Sequence, residues 1–140
     1  MLKTIIDASE NFCIHQIRTP HELKDAISNS RTLIAYIDIE TLDEKKHRVY
    51  IASDFSFMQR VSKLFLEEDE SDEETLIDMA LETTNLIVGS AKVLAEKAQT
   101  NPYNIGTPHF AKVDTFDFEY DQAKVVQVEN DEMIVAIKEL

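Results

Sequence analysis

The longest uninterrupted pattern in this chain runs from about Glu74 to about Gln99. Leu76, Ile77, Ala80, Leu81, Thr84, Ile87, Val88 and Ala91 recur there at steps of three and four, and Leu94, Ala95 and Ala98 continue them. That spacing predicts one long amphipathic helix with a broad buried side. Thr100-Asn101-Pro102 marks its end, because proline cannot continue a helix. A chain of 140 residues has the length of one ordinary domain, so a single domain over 1–140 is expected, arranged around this helix.

The flanking segments divide into helix and strand signals. Leu2, Ile5, Ile6, Ser9, Phe12, Cys13 and Gln16 stand at helical spacing and predict a first helix over 2–17, ended by Thr19-Pro20. Residues 21–30 are ambiguous, with one or two helical turns as one reading. Leu33, Ala35, Ile37 and Ile39 share one face of a strand over 32–41. The polar stretch 42–46 reads as a hairpin loop, and 47–52 as the returning strand. Ser53 and Asp54 are suitable caps for a helix carrying Phe57, Met58, Val61, Leu64 and Phe65. Seven of the eight residues from Glu67 to Glu74 are acidic, which reads as a solvated connection whose last acids favour the next helix N-terminus. After the long helix, 101–108 reads as an irregular loop. Phe116, Phe118 and Tyr120 alternate with acids as in a strand. Strands over 124–129 and 133–139 are joined at Asn130-Asp131. The last strand, rich in Ile and Val, is expected at a sheet edge, open to a second chain. The sum is an α+β domain with helices packed on one face of a largely antiparallel sheet.

Composition removes several functions. There are two glycines, Gly89 and Gly106, where about ten are usual at this length. A phosphate-cradling loop or dinucleotide fingerprint cannot be built from them. Acidic residues number 27 and basic ones 14, a net charge of -13, so nucleic acid and anionic membrane surfaces would repel the chain. The one cysteine, Cys13, cannot form an internal disulfide and reads as a small buried hydrophobe. No signal-peptide pattern opens the sequence and no apolar run approaches the length of a membrane span. The expected compartment is the cytoplasm. Four histidines, His15, His21, His47 and His109, show no ligand spacing, so no metal site is expected. His109, beside Pro108, reads as a structural or solvated loop histidine, with approach to the site as the other reading. Lys45 to Arg48 read as a solvated basic hairpin tip.

Opposite its core side the long helix carries a second line: Asp78, Glu82, Asn85, Gly89, Lys92 and Glu96, spaced four, three, four, three and four. Asn85 and Gly89 are unexpected there, because both are poor helix formers and glycine costs about 1 kcal/mol against alanine in a helix interior. A missing side chain at 89 would let another backbone come close, either a crossing element of the same chain or a partner.

Asp78-x-x-x-Glu82-x-x-Asn85, then 22 residues, then Pro108, resembles the signature of the CheC/CheX/FliY family of chemotaxis phosphatases. Gly89 falls where that family tends to have a glycine. The order of strand, capped helix and motif helix is also similar. Only one Glu-x-x-Asn occurs in the chain, which places the resemblance nearest CheX, whose members are typically homodimers. Thr83 and Thr84 depart from the pattern. Family members often carry an aliphatic residue and glycine there, so added bulk is expected near the motif.

The resemblance implies a CheX-like fold and a partner, a phosphorylated receiver-domain response regulator of the CheY kind. Its aspartyl phosphate would be hydrolysed with Mg²⁺ held by the partner and no cofactor held by this chain. Asn85 is the candidate for orienting the attacking water, since an amide can both donate and accept without a protonation requirement. Glu82, acceptor-only as a carboxylate, would pair with the receiver's active-site lysine. Asp78 would contact the partner or favour the helix N-terminus. Gly89 would admit the partner, and Pro108 would shape a neighbouring loop. Two other readings remain open at this point: a non-catalytic module that docks a receiver or a flagellar-switch protein, and a structural dimer in which the pattern is coincidental.

Overall fold

A computed structural model describes residues 1–140. Helix α1, Leu2–Phe12, continues into a wider π-helical turn, Cys13–Ile17, closed by Arg18 in the left-handed conformation. Next comes strand β1, His21–Lys24, where helical turns were one expectation. Its backbone pairs with β6, and His21 is held to Glu10 of α1 at 2.9 Å. The expected hairpin follows as β2, Arg31–Thr41, and β3, Lys46–Asp54, with Ile37 opposite Val49. Helices α2, Phe55–Leu66, and α3, Glu73–Ala98, are succeeded by β4, Tyr103–Ile105, and β5, His109–Thr115. β6, Gln122–Val128, and β7, Asp131–Glu139, complete the chain.

The seven strands form one antiparallel sheet in the order β1-β6-β7-β3-β2-β4, with β5 on the same side of β2 further along. β7 lies between β6 and β3, so the expectation of an open edge at the last strand is corrected. Its run of Ile and Val reflects cover on both faces. Edges fall instead at β1 and at the β4–β5 side.

Alternation along the strands divides the core in two. Leu33, Ile37, Val49, Ile51, Val126, Met133 and Val135 face the three helices and join their buried residues in one cluster. Ile34, Tyr50, Ala52, Val125, Ile134 and Ala136 face the other way. Phe116 completes that second cluster, from a segment that makes no strand pairing despite its alternating pattern. The rings of Phe116 and Phe118 lie 5.5 and 4.9 Å from Tyr50, so the alternation records contact with the sheet from one side. Arg48 belongs to this outer face as well: it grips Asp38 with two nitrogens and lies 4.2 Å over Tyr36, which removes it from the expected solvated tip.

The helix that carries the candidate site is held at several points. With 26 residues it is about 39 Å long at 1.5 Å per residue. Asp72 caps it by accepting from the Thr75 N–H at 2.8 Å, and Glu73 and Glu74 occupy the first turn. That bond holds the Asp72 carboxyl below the usual carboxylate range. The acidic connection before it is tied to α2: the Gln59 amide donates to the Glu68 carbonyl, and the Ser71 N–H donates to the Gln59 side-chain oxygen. At the preceding helix, by contrast, Asp54 occupies the cap position without capping. Its carboxylate accepts from Ser30 and from the Glu132 N–H, joining α2 to β7 instead.

Candidate functional site

The inward side of α3 is built by Leu76, Met79, Ala80, Thr83, Thr84, Ile87, Val88, Ala91 and Ala95, all buried. Tyr103 on β4 donates its hydroxyl to the Val88 carbonyl at 2.8 Å. Burial, with the Glu96 charge second, pushes that phenol well above its ordinary range, so it stays a donor. The helix is therefore fixed in rotation, and its outward line has one direction to face.

On that line Asp78, Glu82 and Asn85 are exposed and Gly89 is half-buried. None of the three side chains makes a hydrogen bond or ion pair within the chain. Lys92 and Glu96, further along, approach to 4.0 Å and are engaged with one another. An unpaired exposed carboxylate and an unpaired exposed amide, three residues apart on a rigid helix, can be presented together to one external group. At Gly89 an added Cβ would meet nothing within 4 Å. Internal close packing, one of the two readings of this glycine, is thereby removed.

Thr83 and Thr84 do not add bulk beside the motif, contrary to expectation. Both are fully buried. Thr84 Oγ1 donates to the Ala80 carbonyl at 2.8 Å, and Thr83 Oγ1 lies 3.7 Å from the Met58 sulfur. At 100° per residue the two positions between Glu82 and Asn85 turn toward the core.

Pro108 is not on this helix. It lies in the link between β4 and β5, and both of those strands pair with β2. Gly106 precedes it, donating its N–H to the Asp38 carbonyl at 2.8 Å. His109 stacks on Tyr36 at 5.3 Å, on the outer face of the sheet and away from the helices, so it does not approach the α3 line. Cys13 is buried as read, its thiol pushed up to about 11 by burial and then by Glu10. No group of three or more His, Cys, Asp or Glu side chains is placed to hold a metal ion. No helix is long and apolar enough to cross a membrane.

The structure adds residues that the motif did not include. Leu86 and Val93 are 40% and 48% exposed beside Asn85 and Gly89. Leu86, Ile87 and Ser90 share a groove of about 150 Å³ with Ala8, Asn11, Phe12, His15 and Gln16 of the first helical segment. The sequence signal was present: Leu86 and Val93 are seven apart and stand outside the buried arc of α3.

Residues 37–139 match the family model for chemotaxis phosphatase CheX. Solved structures share the fold. The chemotaxis protein CheX from Vibrio vulnificus superposes with a TM-score of 0.77 at 13% identity, covering 98% of this chain and 97% of that one. CheX from Desulfovibrio desulfuricans gives 0.76 at 17% identity, with 99% and 97% covered. The Borrelia burgdorferi structure, a complex of CheX with CheY, BeF3 and Mg²⁺, gives 0.69 at 14% identity, with 98% and 97% covered. By sequence, no curated protein matches the chain.

Proposed function

This chain belongs to the CheX family of chemotaxis phosphatases, and from that premise we propose that it hydrolyses the aspartyl phosphate of a CheY-like receiver domain. One observation carries the proposal: Glu82 and Asn85 stand exposed and without internal partners on the outward side of a helix whose other side is locked in the core.

The substrate is an acyl phosphate, and Mg²⁺ comes with the receiver. Water attacks phosphorus in line with the leaving carboxylate oxygen; the P–O bond to aspartate breaks, and the water proton passes to the phosphate product or to solvent. Little covalent work is asked of the protein, so positioning dominates. The Asn85 amide oxygen accepts from that water and fixes its approach. Glu82 takes the receiver's active-site lysine and sets the register of the complex. Asp78, one turn earlier, extends the negative edge toward the same cationic side of the receiver. Gly89, one turn beyond Asn85, leaves room for the partner's surface. Pro108 keeps the link between β4 and β5 in shape and has no chemical part. The setting is the cytoplasm, where receiver domains act.

The test is phosphate release from a phosphorylated receiver with Mg²⁺ present. Asn85→Ala is expected to lose about 10²-fold or more of the acceleration, with the fold and melting curve retained. Wild-type acceleration from that variant would overturn the assignment. A wild-type protein that binds the receiver without shortening the phosphoryl lifetime would establish a docking module instead. We further propose a homodimer, as CheX-like proteins typically are; sedimentation velocity showing only monomer at micromolar concentration would remove that part.

A further inference from the structure

The outward side of α3 changes character along its length. Its first half presents Asp78 and Glu82, close to the acidic connection 67–74. Its second half presents Leu86, Gly89 and Val93 toward α1, with the mutually engaged Lys92 and Glu96 on the other side of Gly89. At 3.6 residues per turn, Leu86 and Val93 lie within about 40–60° of Gly89, on the side toward α1. Both are exposed, and nothing in this chain covers them. Beside them runs the α1–α3 groove. One stretch holds Phe12, His15 and Leu86; the next, of about 500 Å³, holds Thr4, Asp7 and Leu94. Asn11 borders both, so the two are continuous.

We propose that a surface helix of the same receiver domain whose phosphoryl group reaches Asn85 lies along the outer edge of this groove, with Leu86, on its wall, and Val93, beside it, as the apolar contacts. The inference rests on the functional reading above and adds the orientation of the partner. Receiver domains of the CheY kind are doubly wound α/β folds, with the active site at the carboxyl ends of the strands and helices on both sides. Asn85 and Val93 are eight residues apart, about 12 Å along the helix axis, and packed helices stand 8–10 Å from one another. A receiver seated with its phosphoryl group at Asn85 therefore has a flanking helix within reach of Val93. Charge selects which way it lies. The cationic side of its active site, Mg²⁺ and lysine, meets Glu82 and Asp78. A flanking helix is then left over the Leu86–Val93 half. The absent side chain at 89, with open space around it, lets that helix approach between the two apolar residues.

The test measures binding and turnover separately. The probe is a receiver loaded with Mg²⁺ and beryllium trifluoride, a stable stand-in for the acyl-bound phosphoryl group, titrated by fluorescence anisotropy. The double variant Leu86→Ser, Val93→Ser is expected to raise Kd, and KM in phosphate release, about tenfold or more. Its kcat at saturation should stay at the wild-type value. Both residues are half-exposed, so the variant should stay folded, with Tm lowered by no more than a few degrees. Leu42→Ser, on an exposed turn between β2 and β3, is the control and should bind normally. A wild-type Kd for the double variant, or equal weakening by Leu42→Ser, would overturn the groove while leaving the role of Asn85 standing. Selective weakening in a protein that releases no phosphate would support the groove and remove the catalytic reading. Failure of the wild type to bind the loaded receiver would overturn both.

Discussion

At Gly106 an added Cβ would stand 3.0 Å from the backbone oxygen of Asp38; at Gly89 it would meet nothing within 4 Å. Both glycines lie at φ values that any residue adopts, so backbone freedom explains neither. Gly106 is required by its own sheet. Its N–H donates to the same Asp38 oxygen that a side chain would crowd, at the point where β4 leaves β2 and the chain bridges to β5. Gly89 has no such requirement. It weakens α3 by about 1 kcal/mol against alanine and gives nothing back inside the molecule. The difference separates a residue needed by the fold from one whose use lies with whatever approaches the surface. On the proposed reading, the approaching body is the receiver.

The larger effect is expected at Gly106. The Asp38 backbone cannot retreat easily, because β2 is paired on both sides and Arg48 holds the Asp38 carboxylate with two hydrogen bonds. Gly106→Ala should therefore cost about 1–3 kcal/mol, the range of an overpacked site. In a domain of this size that lowers Tm by several degrees, at about 3 °C per kcal/mol. The effect on phosphate release per folded molecule should be small, since Gly106 is on the sheet and the motif is on α3. An unchanged melting curve would erase the contrast between the two glycines.

The same contrast marks what could be read from the sequence. α3 was legible to within a residue at each end, because its apolar spacing, its acidic first turn and Pro102 agree with one another. The line Asp78, Glu82, Asn85, Gly89 followed from the same spacing, and the structure keeps it on one exposed side. Thr84 stands in the buried spacing of the helix and is buried; the added bulk expected near the motif from Thr83 and Thr84 is absent because each residue turns the helix by 100° and both point into the core. Strand order was not legible. The Ile- and Val-rich β7 reads alike whether central or at an edge, and only pairing with β3 and β6 decides. Residues 116–120 show the converse. A period of two reports which side is covered and says nothing about hydrogen bonding, and here the cover is Tyr50 and its neighbours. β1 was ambiguous because His21–Lys24 is short and mostly exposed, and is a strand only through β6. The apolar pair Leu86 and Val93 stands seven apart and outside the buried arc, but only their exposure shows that no other part of the chain covers them.

The smaller and more discriminating effect is at Gly89, where the expected sign is opposite. Gly89→Ala should stabilise the protein by about 1 kcal/mol, because alanine is the better helix former and the new methyl group enters open space. Thermal unfolding should show Tm raised by about 3 °C. The same methyl group stands between Leu86 and Val93, where the receiver helix is proposed to come closest. Crowding there should raise Kd for the beryllium-trifluoride receiver about tenfold. The Asn85 amide itself is untouched, so kcat at saturating receiver should hold. A variant that is more stable and binds less well is the outcome a purely structural glycine could not produce. If Gly89→Ala is more stable and binds as the wild type does, the glycine has no partner-facing use, and the distinction between the two positions reduces to the space around Gly106.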